Sequence, residues 1–296
     1  MRILITGITG YIGSHLTRRL LEEHQVFGLV REPVNTTYIH DIQDKLTLLP
    51  YSGSGVSLLE QMKSCKPELV YHLATYYTGA HDMDNVRKLV NSNITLGAYL
   101  LEAMVSCDCQ NIIYASSIME HYRGMEYCPL NLYAATKRAF YDLLCYYADA
   151  GMLHTGTLVL SDTYGPGDQR PKILNIIRKH MGVETPLALS DGQQDYATVY
   201  IDDVIDAFVL AGQQLCEGQW NNQIFQVLPN HSYTLRETVD QLLSINKATI
   251  CAQWGKRPPA EREMRKMVRL YPSVPGWVPK VALAEGLYKM GRSAEI

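Results

Sequence analysis

GITGYIG, residues 7–13, sets three glycines at three-residue intervals between the strand-like run RILIT and the amphipathic run SHLTRRLLEEH. In such a place Gly7 would permit a tight turn, Gly10 a close approach of backbone to a pyrophosphate, and Gly13 close packing of helix on strand. The first turn of the helix adds unpaired N–H groups and partial positive charge, which favour an anion. With Thr9, Tyr11 and Ile12 between them, the glycines form a candidate cradle for a dinucleotide.

Outward from the loop, the apolar runs RILITG, QVFGLVR, TLLP, ELVYHLA, NIIYASS and GTLVLS alternate with segments of helical spacing. That alternation predicts an α/β fold, a Rossmann-type doubly wound parallel sheet with helices on both faces. Runs such as ILIT and NIIY suit strands buried on both sides. After Gly165 the texture changes to turn chemistry (YGPGDQRP), a helical ILNIIRKHM and a proline-rich stretch ending PGWVPK. Residues 1–165 are therefore expected to bind the dinucleotide. Residues 166–296 are expected to form mainly a smaller C-terminal substrate-binding region, with some segments returning to the first domain.

The 296 residues are 47% apolar with a formal net charge of -3, which gives no electrostatic reason to expect nucleic acid or an anionic membrane. No apolar stretch reaches membrane-spanning length, and MRILITG opens without an apolar leader segment, so a cytoplasmic protein is expected. The seven cysteines are scattered, and Cys107 and Cys109 lack a second pair, so reduced thiols are expected. His72, His81 and His121 fit no ligand spacing, and no metal site is expected.

Binders of NAD usually end the second strand on an acidic residue that takes the ribose 2′-hydroxyl. Here the strand ends QVFGLVR, and Arg31 would pair with a 2′-phosphate, so NADP(H) is favoured over NAD(H). The alternative is a solvated Arg31 with Glu32 reading the ribose.

In NLYAATKRAFYDLLCYYADA, Tyr133 and Lys137 lie four residues apart on one helical face. A phenol ordinarily titrates near pH ~10, and an adjacent ammonium favours the phenolate. Together the two could serve as acid or base at a carbonyl or alcohol. Ser116 and Ser117 end the NIIYASS run, where parallel sheets bind ligands.

Taken together, these motifs resemble the extended branch of the short-chain dehydrogenase/reductase superfamily, the group that modifies nucleotide sugars. The likeness runs through Thr6 to Gly13, His72 to Ala74, Asn93 in NITLGAYLLEA, the serines before YxxxK, Tyr164 to Pro166, Asp202 to Val204 and PGWVPK. It implies that Tyr133 is a general acid, that Lys137 binds the nicotinamide ribose and lowers the tyrosine pKa, and that Ser117, or the neighbouring Ser116, hydrogen-bonds the reacting oxygen. It also places Leu73, Ala74, Thr75, Asn93 and Thr163 beside the cofactor. A homodimer through residues 91–106 and 131–149 is implied as well.

Dehydratases of this branch carry an Asp-Glu pair just after the catalytic hydroxyl. This chain has Ile118 and Met119 there, with Glu120 displaced, which argues against dehydration. The arginine that many relatives use for the substrate phosphates is missing, and Asp162 replaces an asparagine. Arg170 and Lys172, with Arg257 or Arg262 further on, are candidates to neutralise a diphosphate. The wording DTYGPGDQRPKI is similar to reductases that finish CDP-3,6-dideoxyhexoses, so the expectation is an NADPH-dependent 4-ketoreductase acting on a nucleotide sugar. A 4-epimerase with retained NAD and a non-catalytic dinucleotide sensor are the alternatives. Asp203 is read as a residue that caps or flanks its helix.

Overall fold

A computed structural model describes residues 1–258 and 260–292; Pro259 and the last four residues of the expected C-terminal region lie outside the described residues. The six apolar runs form β1 (Arg2–Thr6), β2 (Gln25–Val30), β3 (Thr47–Pro50), β4 (Leu69–His72), β5 (Asn111–Ser117) and β6 (His154–Leu160). Between them lie α1 (Tyr11–Leu20), α2 (Gly55–Cys65), α3 (Met83–Val90), α4 (Leu96–Ser106) and α5 (Leu132–Asp149). The remainder holds β7 (Asp162–Tyr164), α6 (Ile173–Lys179), β8 (Leu187–Ala188), β9 (Asp195–Tyr196), β10 (Thr198–Tyr200), α7 (Ile201–Cys216) and β11 (Gln223–Val227). Last come β12 (Tyr233–Thr234), α8 (Leu235–Asn246), β13 (Ala252–Gln253) and α9 (Leu283–Arg292).

Seven strands build one parallel sheet in the order β11-β6-β5-β4-β1-β2-β3. Successive side chains of a strand point to opposite faces, so a sheet covered on both sides needs apolar residues at every position. β1 shows this directly: Ile3 and Ile5 enter a core shared with Leu16 of α1 and Phe208 of α7, while Leu4 enters the opposite core with Leu58, Leu100 and Phe140. The strand order reverses between β1 and β4, and the crevice beyond their C-terminal ends is where such sheets bind ligands.

Although they lie beyond residue 165, α7 and β11 return to the sheet layer. The closing segment is sewn back onto both. Buried Asp203 accepts the backbone N–H groups of Lys280 and Val281 at 2.9 and 3.0 Å, and Trp277 Nε1 donates to the Asp203 carbonyl at 2.8 Å. Asp203 was expected only to cap or flank its own helix; its carboxylate instead anchors PGWVPK. On β11, Gln226 Oε1 accepts from the N–H groups of Leu270 and Tyr271, and its own N–H donates to the Pro272 carbonyl at 2.8 Å.

Candidate active site

Between the sheet edge and the C-terminal region lies a cavity of about 920 Å³. Its floor is the glycine loop. Gly7 has φ +76°, and a Cβ there would fall 2.7 Å from the Ala74 nitrogen; a Cβ on Gly13 would fall 2.2 Å from the Gly7 carbonyl oxygen. These contacts explain why side chains are excluded from the turn. Gly10 is the N-cap of α1 and makes no side-chain capping bond, so the first N–H groups of α1 are available to an anion. The cradle thus fits the pyrophosphate of a dinucleotide. Thr9, Ile12, Leu73, Ala74 and Thr163 also line the cavity. Tyr11 lines it too, but its hydroxyl donates to the Pro166 carbonyl at 3.1 Å and Arg170 lies over its ring at 4.6 Å, so it ties the loop to the YGP turn.

Arg31 follows β2 directly and lines the cavity, with Nη1 3.5 Å from Ser92 Oγ. Glu32 is not among the lining residues.

At the end of β5 the chain turns through Ile118–Glu120 in a capping box: Ser117 Oγ accepts from Met119 N at 3.2 Å, and Glu120 reaches back to the Ser117 N–H at 3.0 Å. Asn131 caps α5, its side chain accepting from Ala134 N at 3.0 Å, and the helix carries Tyr133 and Lys137 to the same wall. Tyr133 shares hydrogen bonds with the side chains of Thr75 and Ser117. Burial pushes its phenol up, aided by the Glu120 charge, and those two hydroxyls only partly offset this. Lys137 was expected to lower the tyrosine pKa. Its ammonium instead donates to the Ala115 carbonyl at 2.5 Å and lies 4.3 Å from the centre of the Tyr114 ring, and the Tyr133 phenol is raised rather than lowered. Burial pushes Lys137 itself down to about 8, against the pull of Glu120.

Other expected positions are also rearranged. Asn93 does not line the cavity; it is buried in a π-helical turn (Asn91–Thr95) and its amide is fully engaged. Its Oδ1 accepts from Thr75 Oγ1 and Tyr76 N, and its Nδ2 donates to the Tyr76 carbonyl and Thr136 Oγ1, at 2.8 to 3.1 Å. It holds the loop after β4. Arg170 lines the cavity, yet its guanidinium forks onto Asp168 with two bonds of 2.8 Å and donates to the Thr163 carbonyl. Lys172 is bonded to Asp162, which also accepts from Tyr196 at 2.8 Å. Arg262 stacks on Tyr122 at 4.8 Å, and neither it nor Arg257 is among the lining residues. Lys266, unremarked in the sequence, does line the cavity and is 81% exposed, 3.4 Å from Asp195.

Two further features escaped the sequence reading. Tyr77 packs edge-on to Tyr133 at 4.9 Å, and buried Glu120 accepts from Ser116 Oγ at 2.5 Å. Of these only the turn that carries Glu120 left a sequence signal, the Ser117-x-x-Glu120 spacing of a capping box. His72, buried on the floor of the sheet, bonds Thr6 Oγ1 at 2.8 Å through Nδ1 and stacks on Tyr114. All seven cysteines are free thiols.

Residues 3–227 match the NAD dependent epimerase/dehydratase family. A CDP-abequose synthase of Yersinia pseudotuberculosis is 30% identical over 246 residues, which cover 81% of this chain and 82% of that protein. A UDP-glucose 4-epimerase of Mycolicibacterium smegmatis is 27% identical, covering 98% of this chain and 97% of its own. Among solved structures, the UDP-glucose 4-epimerase of Thermotoga maritima, determined with UDP-glucose, superposes with a TM-score of 0.85 at 23% identity, covering 98% of this chain and 97% of that one. Its fold is shared throughout. The chain belongs to the NAD dependent epimerase/dehydratase family, the nucleotide-sugar-modifying branch of the extended short-chain dehydrogenases/reductases, whose members are NAD(P)-dependent enzymes.

Proposed function

We propose that the chain reduces a 4-keto nucleotide sugar of the 3,6-dideoxyhexose type, with NADPH as reductant. The observation that carries the reading is Arg31 on the cavity wall at the end of β2, with Glu32 off it, because a 2′-phosphate needs a guanidinium there and a ribose hydroxyl needs a carboxylate. Net reduction consumes its cofactor, and NADPH is the reductant cells chiefly supply. The likeness to CDP-abequose synthase supports the same substrate class.

Bound nicotinamide would supply the hydride. The raised pKa of Tyr133 keeps its phenol protonated at neutral pH, the form a proton donor to the developing alkoxide must have. Ser117, hydrogen-bonded to Tyr133, would hold the reacting oxygen beside that proton, with Ser116 behind it. Ile118 and Met119 line the adjoining wall and offer no acid or base for eliminating water. Facing the sugar-nucleotide side are Asp162, Arg170, Lys172 and Lys266. The Asp168 fork occupies Arg170, so a diphosphate would meet Lys266 and compete with Asp162 for Lys172.

The test is loss of NADPH absorbance with a CDP-4-keto-3,6-dideoxyhexose, with the sugar product followed alongside. One NADPH oxidised per sugar reduced is expected, and Tyr133→Phe should lower kcat by about 10²- to 10⁴-fold. Interconversion of epimers without net NADPH loss would favour the 4-epimerase reading, for which the relative from Mycolicibacterium smegmatis speaks. Turnover surviving in Tyr133→Phe would sink the acid assignment. Tight NADPH binding with no turnover would point to a sensor, a role for which the Ser117–Tyr133 contact has no use. A homodimer through α4 and α5 forms part of the same proposal: Tyr99, Val105 and Tyr146 leave apolar surface exposed on those helices, and sedimentation equilibrium measures the mass.

A further inference from the structure

Glu120 is 1% exposed, does not line the cavity, and has no part in the reading above. Burying a carboxylate without partners is costly, so what it touches indicates what it does. One oxygen, Oε1, takes both the Ser116 hydroxyl at 2.5 Å and the Ser117 N–H at 3.0 Å, gripping the last two residues of β5. Ser117 then meets Tyr133, while Lys137 grips the same strand one residue earlier through the Ala115 carbonyl.

We propose that Glu120 is a positioning residue, bracing the end of β5 so that the Ser117 hydroxyl stays at Tyr133, and serving as the countercharge of the buried Lys137 ammonium. The inference rests on the proposed roles of Tyr133 and Ser117. The groups acting on Glu120 are Lys137, Arg138 and Tyr133 from α5, Tyr114 and the two serines from β5, and Tyr271 from the closing segment; Lys137 also feels His72 of β4. Burial raises the Glu120 carboxyl and lowers the Lys137 ammonium, and each offsets the other's shift by attraction.

Glu120→Gln keeps the shape and the accepting oxygen and removes the charge. The protein is labelled with ¹³C at lysine Cε and titrated by NMR without substrate, the Lys137 resonance being assigned by its loss in Lys137→Arg. In Glu120→Gln the Lys137 midpoint should fall by about one pH unit or more from the wild-type value. The alkaline limb of kcat should move acidward with it, and KM for NADPH should stay close to wild type. Glu120→Asp should restore most of the midpoint, and Glu120→Ala, which loses the brace as well, should lower kcat per folded molecule by about tenfold or more.

An unchanged Lys137 midpoint in Glu120→Gln overturns the countercharge role. A wild-type kcat in Glu120→Ala overturns the brace; if that variant does not fold, a wild-type kcat in Glu120→Met, which fills the same space without an accepting oxygen, does so. A residue that only stabilised the fold would lower the melting temperature and leave midpoint and profile in place. The NMR titration needs no turnover, so it stands even if Tyr133→Phe retains activity and the functional reading fails.

Discussion

Arg31 is surface-exposed, and its reach into the cavity gives it leverage over the choice of cofactor. A hydrogen-bonded charge pair is worth about 1.5–3 kcal/mol, so Arg31→Ala should raise KM for NADPH by roughly 10- to 150-fold and leave that for NADH nearly unchanged. Equal effects on both would remove the case for a 2′-phosphate contact. At this scale the sequence was legible where one motif carries the whole message: Ser117, Tyr133 and Lys137 converge on one wall, as their spacing and strand-end position implied. It was silent where a polar residue stands at the right place but is already held by partners. Asn93, whose amide is fully engaged, and Arg170, whose Nε and Nη2 are held by Asp168 and Thr163, are such cases, since these partners become visible only after folding. Glu120 is the reverse case, an unremarkable residue until β5 and α5 bring Ser116 and Lys137 around it.

Among the elements, six strands were readable because a strand covered on both faces must be apolar throughout. β11 was not, since QIFQV interrupts that pattern with glutamines, one of which is committed to the closing segment. The π-turn between α3 and α4 has no composition of its own and was also invisible. His72 closes β4 inside the sheet, and burial together with the Lys137 charge pushes its imidazole down from 6.5 to about 3. Below pH 6.5 the unfolded chain gains a proton that the folded one refuses, so this site's contribution is complete above that pH and is lost as pH falls toward 3. Urea unfolding at pH 7 and pH 5 should show wild type losing about 2 kcal/mol more than His72→Gln over that interval. Parallel pH dependence in the two proteins would contradict a neutral, buried His72.

For the molecule as a whole, the glycine loop and the alternation of runs were enough to identify a doubly wound sheet, because crossover chirality and two-sided burial leave few other arrangements. The route of residues 268–281 was not readable, since a proline-rich stretch carries no periodicity and its anchors, Asp203 and Gln226, lie far away in the chain. That route matters beyond the cavity. β11 is an outermost strand of the sheet, and residues 270–272 lie along its free side through the bonds of Gln226. An uncovered sheet edge presents unpaired N–H and C=O groups that can template a strand from another copy. A chain ending before residue 268 should therefore self-associate edge to edge, read as light scattering that grows with concentration while the 296-residue chain stays monodisperse. The strip along β11 would then be a guard against aggregation, and newly made chains would lack that guard until synthesis had passed it.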